Sequence, residues 1–94
     1  RYDPESFAGG SLRLDVAAAA AAMDRAVGQG LGLEPGMAAL GVVEGVDENM
    51  ANAARVHAIE SAKSYEGRAI IAFGGGGPVH GCRVAEKIGV SRIL

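Results

Sequence analysis

The sequence predicts an α/β fold in which two long helices precede a strand–glycine loop–helix–strand unit. Three observations predict it. A run of alanines from Ala17 to Ala22 lies in a stretch of high helix propensity. Apolar residues then recur at steps of three or four from Met37 to Ala62. Finally, the apolar run Ala69–Phe73 empties into the consecutive glycines Gly74, Gly75, Gly76 and Gly77, and Pro78 and a helical pattern follow.

Length and composition bound the reading. Ninety-four residues make at most one small domain. Aromatic residues are scarce at 4%, with no Trp, so the core must be built from Ala, Val, Leu, Ile and Met. A net charge of −2 without a basic cluster argues against a nucleic-acid partner. The longest unbroken apolar run, Val16–Met23, is far short of the roughly 20 residues of a membrane span. A single cysteine, Cys82, can form no internal disulfide and points to the reducing cytoplasm. The chain opens on Arg1 and stops on Ile93-Leu94 within an apolar run, so it reads as a fragment of a longer protein. Apolar faces exposed in such a piece would favour a homo-oligomer.

Each element has its own signals. Arg1–Gly10 reads as a loop, from Asp3-Pro4 and Gly9-Gly10, with Phe7 as its anchor in the core. Asp15 is an N-cap candidate for a helix over Val16–Val27, which Gly28, Gly30 and Gly32 end. Pro35 opens a second helix, extending from about Gly36 to about Ser64, with Met37, Leu40, Val43, Met50, Ala54 and Ala58 on its inward face. Gly41 and Gly45, one turn apart, suit close packing against the alanine helix. Arg68–Phe73 is a strand, and its nearly continuous apolar character suggests cover on both faces. Pro78–Ile88 is the third helix, stopped by Gly89, and Val90–Leu94 begins a second strand parallel to the first.

The glycine stretch is the strongest chemical signal. Glycine lets a backbone approach a ligand closely, and the following helix start offers N–H groups and a positive dipole end. It is not a Walker loop, because no Lys-Ser/Thr follows. Gly75, Gly77 and Gly81 approach the dinucleotide fingerprint, but the last glycine is one residue late. His80, in the first turn of that helix, could donate to a phosphate, polarise a carbonyl or simply bond to the loop; the helix N-terminus disfavours its imidazolium. His57 reads as a surface or packing residue, Cys82 as a small core residue, and Asn49, Asn52 and Arg55 as a solvated stripe. No metal-ligand spacing is present.

The run Asn49-Met50-Ala51-Asn52-Ala53-Ala54-Arg55-Val56-His57-Ala58-Ile59-Glu60, the run Ala72-Phe73-Gly74-Gly75-Gly76-Gly77-Pro78-Val79-His80 and the run Ala85–Val90 together resemble the hydantoinase A/oxoprolinase family. Phe7–Asp15 and Leu31–Pro35 match its pattern in order, so the resemblance covers nearly the whole chain. It implies residues 1–94 as a single fragment of the hydantoinase/oxoprolinase domain, from the C-terminal lobe of an actin-like (ribonuclease H-like) ATPase. The implied activity is ATP-dependent opening of a cyclic amide (a hydantoin, 5-oxoproline or a lactam) through phosphorylation of the amide oxygen. A hydantoinase B-type second subunit is the implied partner, and ATP with Mg2+ the cofactors.

On the same resemblance, Gly74, Gly75, Gly76 and Gly77 form the adenosine-side nucleotide loop, with Pro78 and His80 fixing its geometry. Asn49 and Arg55 become candidates for lining the cleft, while Asn52 departs from the Arg that other members carry there. The family's phosphate-binding hairpin, metal-binding acidic residues and catalytic residues lie outside this stretch, so the fragment is expected to be inactive alone. Two alternatives stay open: a non-catalytic subunit-assembly module, and a carboxylase subunit of the same family.

Overall fold

A computed structural model describes residues 2–94. The chain forms two compact units, one running to Val42 and the other from Val43 to Leu94, and the boundary falls within a helix common to both.

The first unit opens on a turn organised by Asp3. The backbone N–H of Glu5 and the hydroxyl of Ser6 both donate to its carboxylate, at 3.1 and 2.7 Å. The Ser6 hydroxyl first, and the Glu5 N–H second, hold the Asp3 carboxyl below the usual carboxylate range. Phe7 begins a short 3-10 turn, Phe7–Gly10, and meets Tyr2 edge to face with ring centroids 5.8 Å apart. It is half-buried there and does not join the buried core, contrary to the role of anchor.

Helix α1, Val16–Met23, starts where expected, because Asp15 accepts from the Ala18 N–H at 2.8 Å. It does not stop at Gly28. A π-helical turn, Asp24–Gly28, carries it into α2, Gln29–Leu31, and the chain leaves the helix at Gly32 with φ 65°. Gln29 donates to Asp24 across the π turn at 2.8 Å. Gly28 and Gly30 keep helical φ; only Gly32 adopts the left-handed conformation that breaks a helix cheaply.

Helix α3, Pro35–Glu60, is about 39 Å long. Its start is capped by Glu34, whose carboxylate accepts from the Met37 N–H at 3.0 Å and whose carbonyl accepts from Ala38. It ends four residues before the expected Ser64. Lys63 donates to the Ala58 carbonyl and Ala62 to the Ile59 carbonyl, the bond pair of a left-handed helix cap. The left-handed residue is Ala62, at φ 50°, so the usual glycine signal for a stop is missing from the sequence. The inward stripe is also rotated from expectation: Ala51 is fully buried while Met50 is exposed. Among the described residues, a Cβ placed on Gly41 or Gly45 would meet nothing within 4 Å, so Gly41 does not make the close contact expected of it.

The core of the second unit is small. Ala51 from α3 is buried with Val84 and Ala85 from α4, Gly77–Ile88, and with Val90 beyond it. A Cβ on Gly81 would lie 3.2 Å from the Ala72 Cβ, so glycine here permits the apolar segment to lie close to the helix. Gly89, at φ 76°, ends α4, and Cys82 is exposed rather than core.

The expected α/β sheet is reduced to one step. Ile70 and Ile93 form an isolated parallel bridge, with Ile70 donating to Arg92, Leu94 to Ile70 and Ala72 to Leu94. The parallel pairing is therefore present, but among the described residues no strand forms and the chain is mostly helical. Cover on both faces is not observed either, since Phe73 is 82% and Ile71 69% exposed. Two segments without flanking neighbours have too little pairing to build a stable sheet.

Candidate functional site

The site is assembled at the start of α4. Gly74, at φ 83°, turns the chain out of the apolar segment, and Gly76 stands at the N-cap without a side-chain hydrogen bond. Gly77 is the first helical residue, one earlier than expected, and Pro78 follows where its missing N–H costs nothing. Among the described residues, a Cβ placed on Gly74, Gly75, Gly76 or Gly77 would meet nothing within 4 Å. Positive φ accounts for Gly74. Among the described residues, neither φ nor crowding accounts for glycine at the other three, so there is room for a group beside each Cα.

His80 bonds across to α3 rather than to the loop. Its Nδ1 lies 2.7 Å from Asp47 Oδ1, and because a carboxylate oxygen accepts, the ring hydrogen is assigned to Nδ1. The Asp47 side chain is 0% exposed and that of His80 25%. The second Asp47 oxygen, Oδ2, is buried without a hydrogen-bond partner. Asp47 is the site residue that sequence reasoning missed. The signal was present: Val43, Asp47, Ala51, Ala54 and Ala58 are spaced four, four, three and four apart, which puts a carboxylate on the inward stripe.

The polar residues of α3 serve elsewhere. Arg55 donates to Glu48 at 3.0 Å, to Asn52 at 2.7 Å and to the Lys87 carbonyl at 2.6 Å. Lys87 in turn bonds Glu44 and Glu48, and Arg83 bonds Glu44 at 2.9 Å. Hydrogen bonds from Arg55, then Lys87, hold the Glu48 carboxyl below its usual range, and Glu44, then Glu48, push the Lys87 ammonium up. Arg55 thus docks at the last turn of α4, where its charge suits the negative end of the helix dipole. The glycine loop and His80 lie at the other end of this helix, about 18 Å long. Asn49 is exposed on α3 two residues beyond Asp47. The structure therefore gathers Gly74–Gly77, Pro78, His80 and Asp47 around the helix start, and places Arg55 and Asn52 in a charged seam.

His57 is exposed and lines a shallow apolar cleft with Ala54, Ala58 and Tyr65. Among the described residues, no three His, Cys, Asp or Glu side chains cluster to hold a metal ion, and no helix is long and apolar enough to cross a membrane.

An open glycine loop at a helix start, backed by a His–carboxylate pair, is a feature that many protein classes could use; comparison with known proteins defines the class. The chain belongs to the hydantoinase/oxoprolinase family, which it matches over residues 1–94. It is similar to the acetone carboxylase beta subunit of Xanthobacter autotrophicus, with 31% identity over 94 residues, covering 98% of this chain. The chain spans 13% of the length of that subunit. No solved structure matches it.

Proposed function

We propose that this chain is part of an actin-like ATPase lobe in an ATP-dependent enzyme that opens a cyclic amide, and that Gly74–Gly77 form its adenosine-side nucleotide loop. The observation that carries this reading is that, among the described residues, a Cβ on Gly75, Gly76 or Gly77 would meet nothing within 4 Å and none of the three has positive φ. A nucleoside lying against that backbone would require glycine. Pro78 sets the direction of the helix start and His80 sits in its first turn. ATP would supply the phosphoryl group that turns the amide oxygen into a leaving group. The residues here bind and orient; transfer and ring opening belong to residues elsewhere in the full-length protein, together with Mg2+ and a second, hydantoinase B-type subunit.

Membership of the family and the spacing of the glycines support this reading. The likeness to an acetone carboxylase subunit favours a second one, in which the same activation of a carbonyl oxygen leads to carboxylation. Titration of the full-length protein with Mg-ATP tests the loop. Gly75→Val and Gly76→Val should each weaken nucleotide binding at least about 10-fold, roughly the loss of one good contact, in variants that remain folded. Unchanged affinity in folded variants would sink the reading. ATP turnover on a hydantoin or lactam without bicarbonate would favour ring opening, and strict bicarbonate dependence the carboxylase.

A further inference from the structure

The buried partner of His80 determines which ring nitrogen is left to accept a hydrogen bond. Asp47 accepts at Oδ1 from Nδ1–H, so in the neutral ring Nε2 is left as an acceptor. His80 lies in the first turn of α4, three residues after Gly77. Burying a carboxylate is expensive even when one oxygen is paired, and here Oδ2 has no partner. A fixed tautomer is of use only toward a group that cannot exchange donor for acceptor. A ribose hydroxyl rotates to suit either tautomer. An exocyclic amino group, such as that of adenine, offers only hydrogens to a ring nitrogen in its plane.

We propose that Asp47 is a positioning residue that holds His80 in the Nδ1–H tautomer, so that Nε2 accepts from the 6-amino group of adenine and selects adenine over a 6-oxopurine. The inference rests on the reading of Gly74–Gly77 as a nucleoside site. An oxygen at position 6 would face the Nε2 lone pair and be repelled.

The test is equilibrium binding of ATP, ITP and 2′- and 3′-deoxy-ATP to the full-length protein. ITP differs from ATP at the group in question, carrying a carbonyl in place of the amino group. The wild-type protein should prefer ATP over ITP by about 10-fold or more, the worth of one satisfied against one opposed hydrogen bond. His80→Asn keeps a donor for Asp47 where Nδ1 stood and lacks Nε2; it should bring the ATP:ITP ratio to within about 3-fold. Asp47→Asn can meet Nδ1 with either its carbonyl or its NH2 group and so no longer fixes the tautomer, which should narrow the ratio. A purely structural role would weaken all four nucleotides by one factor.

An ATP:ITP ratio unchanged in both variants overturns the proposal, as does a wild-type protein that treats ATP and ITP alike. Loss in His80→Asn of discrimination against a deoxy analogue, with the ITP ratio intact, also overturns it; in each of these cases the loop reading survives. A wild-type protein that binds no nucleotide overturns both. If Asp47→Asn fails to fold, His80→Asn decides alone.

Discussion

The glycines at 28, 30 and 32 and those at 74–77 look alike in the sequence, but the structure uses them differently. In the first group, Gly28 faces the Leu33 carbonyl, which a Cβ would approach to 2.7 Å, and Gly32 takes positive φ. The chain itself explains why both are glycine. In the second group, Gly74 alone has positive φ, and nothing within 4 Å would meet a Cβ on any of the four. Glycine costs entropy on folding; positive φ suits Gly74 and the N-cap suits Gly76, while Gly75 and Gly77, with neither positive φ nor a crowding neighbour among the described residues, fit a demand from outside the chain.

Substitution should separate the two groups. The largest expected effect is at Gly28. Gly28→Ala gains about 1 kcal/mol in helix propensity but drives a Cβ into a backbone carbonyl that cannot rotate away, at a cost of up to about 3 kcal/mol. The net loss should be about 1–2 kcal/mol by chemical denaturation, whereas Gly30→Ala, with open space and helical φ, should gain up to about 1 kcal/mol. Equal effects at the two positions would break the comparison. Next comes Gly76→Val, which should cost under about 1 kcal/mol as a poorer N-cap and act mainly on nucleotide binding.

A smaller effect is expected where a glycine is missing. α3 and α4 end on the same pair of backbone bonds, with Ala62 at the left-handed position of one and Gly89 at that of the other. Ala62→Gly relieves about 1–2 kcal/mol of backbone strain and returns up to about 1 as added freedom of the unfolded chain, so a gain of under about 1 kcal/mol is expected in thermal unfolding.

The smallest effect concerns the charged seam. The Glu48 carboxyl is held below its ordinary range, so its contribution is fully present above that range and is lost as pH falls through the lowered value. Glu48→Gln should therefore lower stability slightly at neutral pH, with the difference from wild type vanishing as pH falls through the lowered value, so that the acid limb is flatter. The seam is exposed, and added salt should shrink the difference further.

Local signals carried much of the fold. The Asp15 cap, Pro35 at a helix start, the stop at Gly89 and the span of α4 were legible because each depends on a few neighbouring residues. The ends at Leu31 and Glu60 were not, since a π turn carries the chain past Gly28 and an alanine does the work of a glycine at Ala62. In the site, Gly74–Gly77, Pro78 and His80 were visible as one run. Asp47 lies 33 residues from His80 and seemed one charge among several until the helices were packed.

By itself, then, the sequence determined where helices begin, where a loop must be glycine and to which family the chain belongs, because caps, propensities and motifs are read within a few residues. Only the tertiary structure decided that His80 is held by a buried carboxylate, that Arg55 is committed to the far end of α4, and that Gly75, Gly76 and Gly77 face open space. Those are facts about which surfaces meet, and they depend on contacts between residues far apart in the chain.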